Sequence, residues 1–78
     1  MGYENINPIM IGKALRELRG TRTLENVAEA IDVSTSALAM YETGKRIPRD
    51  EIKIRIAKYY GVPVEPIFYP QKSHVSCG

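Results

Sequence analysis

The run Ile31-Asp32-Val33-Ser34-Thr35-Ser36-Ala37-Leu38-Ala39-Met40-Tyr41-Glu42-Thr43-Gly44-Lys45-Arg46-Ile47-Pro48 decides how this chain folds. It reads as the end of one short helix, a tight turn, and a second helix that a serine opens and a glycine closes. Ser34 offers a hydroxyl to a first-turn amide that has no partner within the helix. Gly44 suits the left-handed residue that commonly stops a helix, and two cations follow it. Within the second helix, Leu38 and Tyr41 lie three apart on one face, while Thr35, Ser36, Ala39 and Met40 occupy the other. One face can anchor in a core; the other is presented.

Upstream of that run, Thr23 is the expected cap of the first helix of the pair, with Glu25 in the first turn, where a carboxylate meets the positive end of the helix dipole. Val27, Ala28 and Ile31 form its apolar stripe, and Ala28 is small enough to let a crossing helix come close. Asp32 and Val33 make the connection. Asp32 tolerates a left-handed backbone better than most residues, and Val33 is placed to plug the corner. Earlier still, Asn7-Pro8 combines a capping residue with a proline suited to the first helical position. Met10 or Ile11, then Ala14, Leu15 and Leu18, recur at helical spacing, with Lys13, Arg16, Glu17 and Arg19 largely opposite and Gly20 at the end. That pattern predicts a core-packing helix with a solvated charged face.

Downstream, a fourth helix is expected to start between Pro48 and Asp50, with Asp50 and Glu51 favourable in its first turn. The segment Glu51-Ile52-Lys53-Ile54-Arg55-Ile56 alternates polar with β-branched residues, which in isolation is a strand pattern. The helical reading is preferred, because Ile52, Ile56 and Tyr59 or Tyr60 also repeat at helical spacing, Pro48 fits the start and Gly61 the stop. Ile54 then falls off the buried stripe. The stretch from Val62 to Tyr69 contains two prolines and has room only for a short helix or turn, with Ile67 and Phe68 as plugs closing the core. Residues 1–69 are read as one all-α domain and 70–78 as a flexible tail.

Seventy-eight residues are near the size at which one core is just sufficient, so short helices with short connections are economical, and 44% apolar residues supply such a core. Eleven Lys and Arg against nine Asp and Glu give a net charge of +2, so the distribution of charge matters more than its sum. One cysteine, Cys77, cannot form an internal disulfide and fits a reducing, cytoplasmic setting. His74 has no second ligand at metal-binding spacing, so neither metal nor other cofactor is expected. No apolar run approaches membrane-spanning length, which makes a membrane association unexpected. There is no recognisable nucleophile–base arrangement and no glycine-rich phosphate loop, which disfavours an enzyme. Tyr41, Tyr59 and Tyr60 are read as packing residues, and Glu42 as a structural carboxylate bonding near the N-terminus of a neighbouring helix. Lys53, Arg55 and Lys58 are read as a solvated face.

From the first helix through Phe68 the chain resembles the lambda-repressor-like, Cro/C1-type (XRE) helix-turn-helix family of transcription regulators. The resemblance rests on Leu15-Arg16-Glu17-Leu18-Arg19, on Thr23 with Val27-Ala28-Glu29, on Val33-Ser34, and on Tyr41-Glu42-Thr43-Gly44-Lys45-Arg46-Ile47-Pro48. Ile56-Ala57-Lys58 and Tyr60-Gly61-Val62 continue it. In two places the chain departs from the family: Leu24 stands where Gln is usual, and Asp32 where the turn usually has Gly.

The resemblance implies a compact five-helix fold and a regulator, more often a repressor, that binds double-stranded DNA. Its third helix would lie in the major groove, with Thr35, Ser36, Ala39 and Met40 toward base edges. Backbone contacts are assigned to Arg22, Ser34, Thr43, Lys45, Arg46 and Arg49. The chemistry of the reading face limits what it can discriminate. Thr35 and Ser36 bond to several bases, Ala39 and Met40 suit a thymine methyl, and no Arg, Asn or Gln is there for a two-pronged bond to a purine. A homodimer on an inverted repeat is expected, with Ile54, Val64, Ile67, Phe68 and Tyr69 as candidate interface residues. A chain of this length leaves little room for a separate sensing domain, so no small-molecule ligand is expected. The alternative is a protein-interaction module, such as an antitoxin or anti-repressor, with weak DNA binding.

Overall fold

The computed structural model describes residues 7–68, and among these the chain forms five helices and no strand. They are α1 (Pro8–Arg19), α2 (Leu24–Ile31), α3 (Thr35–Thr43), α4 (Asp50–Tyr60) and α5 (Val64–Phe68). The caps expected from sequence are in place. Asn7 Oδ1 accepts from the Ile9 amide at 2.9 Å and from Met10 at 3.3 Å, Thr23 Oγ1 from Asn26 at 3.1 Å, and Ser34 Oγ from Ala37 at 3.0 Å. Gly20, Gly44 and Gly61 end α1, α3 and α4. Tyr69 and the 70–78 tail, with His74 and Cys77, lie outside the described residues.

The core draws on every helix: Ile11 and Leu15, Val27, Ala28 and Ile31, Leu38 and Tyr41, Ile52, Ile56 and Ala57, then Ile67 and Phe68. The alternating segment of α4 resolves as a helix because Ile52 and Ile56, one turn apart, meet the core together. Ile54 remains 52% exposed. Of the two alternatives in α1, Ile11 is buried and Met10 is not. Phe68 is fully buried, worth about 2–3 kcal/mol of apolar burial.

Sequence reading gave α1 no specific contact with α3, yet the pair is closely apposed at Gly12. A Cβ there would run into the Glu42 carbonyl oxygen, with the carbonyl carbon at 2.7 Å and the Tyr41 carbonyl oxygen at 2.9 Å. The backbones of the two helices touch where a side chain is missing.

Several expectations are corrected. Ile67 and Phe68 cannot serve a dimer surface, because both are shut inside the monomer core; their other reading, as plugs, is the observed one. Glu42 bonds at the C-terminus of a neighbouring helix, not an N-terminus. Its Oε2 and Oε1 accept from Arg19 Nε at 2.8 Å and Nη2 at 3.0 Å, and the carboxylate is almost wholly buried. That hydrogen bond raises the Arg19 pKa above its ordinary value against the opposing effect of burial. Arg19 Nη1 also donates to the Arg22 carbonyl at 2.7 Å, so one guanidinium joins α3 to the loop before α2.

The charged residues of α4 are not one solvated face. Lys58 is exposed, but Lys53 is buried, with its ammonium 5.7 Å from the Phe68 ring centre and 3.6 Å from Asp50 Oδ1. Its aliphatic stem can cover apolar surface, which binary patterning does not register. Arg55 Nη1 reaches the carbonyls of Ile31 at 3.1 Å and Asp32 at 3.4 Å.

Candidate nucleic-acid interface

The turn between α2 and α3 is built from backbone bonds. Asp32 adopts the left-handed conformation, φ 62° and ψ 51°, its amide donates to the Glu29 carbonyl at 3.2 Å, and Val33 donates to Ala28 at 3.0 Å. This closes the end of α2 and redirects the chain within two residues, so that Ser34 can cap α3. Val33 is half-buried against the core, as a corner plug should be.

At about 100° per residue, Thr35, Ala39, Thr43, Ser36 and Met40 fall within one contiguous arc of roughly 140° on α3. Ser36, Thr43 and Met40 are exposed, with Met40 at 38%, and Thr35 and Ala39 are half-buried. The rest of the circumference carries Leu38, Tyr41 and, bordering Thr35, Glu42, all buried. The four residues expected to face bases therefore share the presented side. That side carries no carboxylate, since Glu42 points inward and is neutralised by Arg19.

The candidate anchoring residues differ in what they can still offer. Ser34 uses its oxygen as an acceptor in the cap, which leaves its O–H to donate outward. Thr43 donates its hydroxyl hydrogen to the Ala39 carbonyl at 2.9 Å, so a phosphate, which only accepts, could be bonded only after that hydrogen swings away. Lys45, Arg46 and Arg49 are exposed, and no ion pair holds their side chains among the described residues. The amides of Lys45 and Arg46 both donate to the Met40 carbonyl, at 2.9 and 3.3 Å, which fixes where the two cations leave the helix.

Arg22 is exposed, and part of its guanidinium is engaged by neighbouring groups of the fold. Its Nη1 donates to the Leu18 carbonyl at 3.1 Å, and the guanidinium lies 5.7 Å and 5.6 Å from the ring centres of Tyr59 and Tyr60. Burial pushes the Tyr60 phenol above its ordinary pKa, with Glu42 and Tyr59 acting the same way against Arg22 and Arg19. This cluster ties the loop after α1 to the end of α4, and it leaves Arg22 exposed with guanidinium N–H groups beyond Nη1 to offer. Leu24, at the start of α2, is half-buried against the core and adds packing instead of a polar contact.

A helix-turn-helix family model matches residues 13–67, from α1 into α5. The chain belongs to the Cro/C1-type helix-turn-helix family. Over 68 residues this helix-turn-helix chain is 32% identical to a Vibrio cholerae protein described as the cryptic phage CTXphi transcriptional repressor RstR. The match covers 85% of the chain and 61% of that relative's length. No solved structure matches it. Among the described residues, no helix of this family member is long and apolar enough to cross a membrane.

Proposed function

We propose that this chain is a transcriptional repressor that occupies an operator in double-stranded DNA, with α3 in the major groove. The observation that carries the reading is the presented face of α3: neutral, free of carboxylates, and followed immediately by the exposed cations Lys45, Arg46 and Arg49. The relative described as a phage repressor supports the same role. Thr35, Ser36, Ala39 and Met40 read bases, while Ser34, Lys45, Arg46 and Arg49, with Arg22 at the flank, hold the phosphate backbone.

Because the reading face has two hydroxyls and two apolar groups, direct readout is modest and favours A·T-containing half-sites through thymine methyls, with DNA shape supplying the remainder. One helix spans only a few base pairs, so a homodimer on an inverted repeat, with half-sites about one helical turn apart, supplies the missing affinity. Ile54 and Val64 are the described residues that remain candidates for that contact; both lie outside the closed core, Ile54 exposed and Val64 half-buried.

Selection of binding sites from random DNA tests these points together. The wild type should return an inverted repeat, and Met40→Ala should lose preference at one or two base pairs per half-site, each worth about 1–3 kcal/mol. Identical motifs from both proteins would remove Met40 as a reader. An unpaired half-site would count against the homodimer, and no enriched motif would favour the protein-interaction alternative.

A further inference from the structure

We infer that Arg55 is a positioning residue for α3: from α4 it holds the left-handed turn that aims the presented helix. The inference rests on the DNA-reading role of α3 proposed above. The turn has two weaknesses that Arg55 meets at once. Its pivot is Asp32 at φ 62°, a conformation that costs an L-residue energy and that glycine adopts without penalty. The carbonyls at the end of α2 also carry the negative end of the helix dipole and lack partners within the helix.

Arg55 Nη1 sits 3.1 Å from the Ile31 carbonyl oxygen and 3.4 Å from that of Asp32, so it bonds the last helical residue and the strained pivot together. A cation at this end of a helix is favoured by the dipole, and its hydrogen bonds are stronger than neutral ones. Glu51, one turn earlier on α4, lies 3.6 Å from Nη2 and helps orient the guanidinium. α4 thus acts on the turn through one side chain, 23 and 24 residues away in sequence. Since Asp32 and Val33 alone separate α2 from the cap of α3, holding the pivot holds the direction of the reading helix.

Amide hydrogen exchange on the free protein, paired with DNA binding, tests this. Arg55→Met keeps the stem and removes the donors. It should speed exchange of the Asp32 and Val33 amides by about tenfold while the α1 amides keep their rates. Arg55→Lys, which restores a charge and a donor, should recover much of that protection. Asp32→Gly in the Arg55→Met background should recover it as well, because it removes the strain at the pivot. On DNA, Arg55→Met should weaken binding to a selected operator more than binding to random DNA. Turn amides that exchange at wild-type rates in Arg55→Met, or a loss spread evenly over all five helices, would overturn the inference. A wild type with no operator preference would sink the DNA reading separately, and the exchange rates would still decide whether Arg55 holds the turn.

Discussion

Gly12→Ala should cost the protein a large part of its stability. Alanine is the better helix former, by about 1 kcal/mol in an exposed helix. At this position the added Cβ runs into the carbonyl of Glu42 and reaches within 2.9 Å of the Tyr41 carbonyl oxygen. These are backbone atoms of α3, which cannot give way as a side-chain tip would, so the helices must separate and open the core between them. Overpacking costs about 1–3 kcal/mol where side chains can adjust, and a clash with backbone should reach or exceed the top of that range. A chain of this size has on the order of 4–12 kcal/mol in total. The thermal midpoint should therefore fall by roughly 12–24 °C in a circular-dichroism melt. Gly61→Ala is the control, since nothing lies within 4 Å of its added Cβ. It should lose only about 1 kcal/mol, from its positive φ. A Gly12→Ala protein melting with the wild type would mean that α1 and α3 are not so closely apposed.

Arg19→Met should be comparably damaging, through charge instead of volume. It leaves the Glu42 carboxylate, whose side chain is 4% exposed, without the two hydrogen bonds that satisfy it. Removing one member of a buried ion pair typically costs about 3–5 kcal/mol. Here Arg19 keeps 20% side-chain exposure, so water can follow it in, and the lower end of that range is expected. Replacing both partners, as Arg19→Met with Glu42→Leu, should recover part of the loss because no buried charge is left alone. Urea unfolding of the three proteins reads this directly. A single variant as stable as the wild type would show that the pair adds nothing, and a double variant worse than Arg19→Met would show that packing around Glu42, not its charge, is what matters.

These two contacts also show what the sequence could and could not disclose. Local signals were legible: the capping residues, the glycine stops, the left-handed Asp32 and the division of α3 into an anchored and a presented face all follow from short-range chemistry and periodicity. The strand-like alternation in α4 gave way to the helical spacing of Ile52 and Ile56, because both could reach one core. What stayed hidden were contacts between residues far apart in the chain. Gly12 in mid-helix reads only as a weak helix former until α3 is seen against it. Arg19, Lys53 and Arg55 carry charges that periodicity assigns to solvent, whereas the fold gives each a partner on another element. For the interface the same limit applied to Arg22, whose bond to the Leu18 carbonyl and place beside Tyr59 and Tyr60 only the fold discloses. Thr43 kept its place on the presented arc, but its hydroxyl hydrogen is engaged within the helix.

The most direct test of the central claim is a salt titration of binding to a selected operator and to a scrambled duplex of equal length. Wild-type protein should prefer the operator by on the order of a thousandfold, and both affinities should fall steeply with salt. Lys45→Ala and Arg46→Ala should each weaken binding to both duplexes and flatten the slope by about one counterion. Equal affinity for operator and scrambled DNA, or a slope that neither substitution changes, would contradict the assignment of α3 and the cations after Gly44 as the DNA-reading surface.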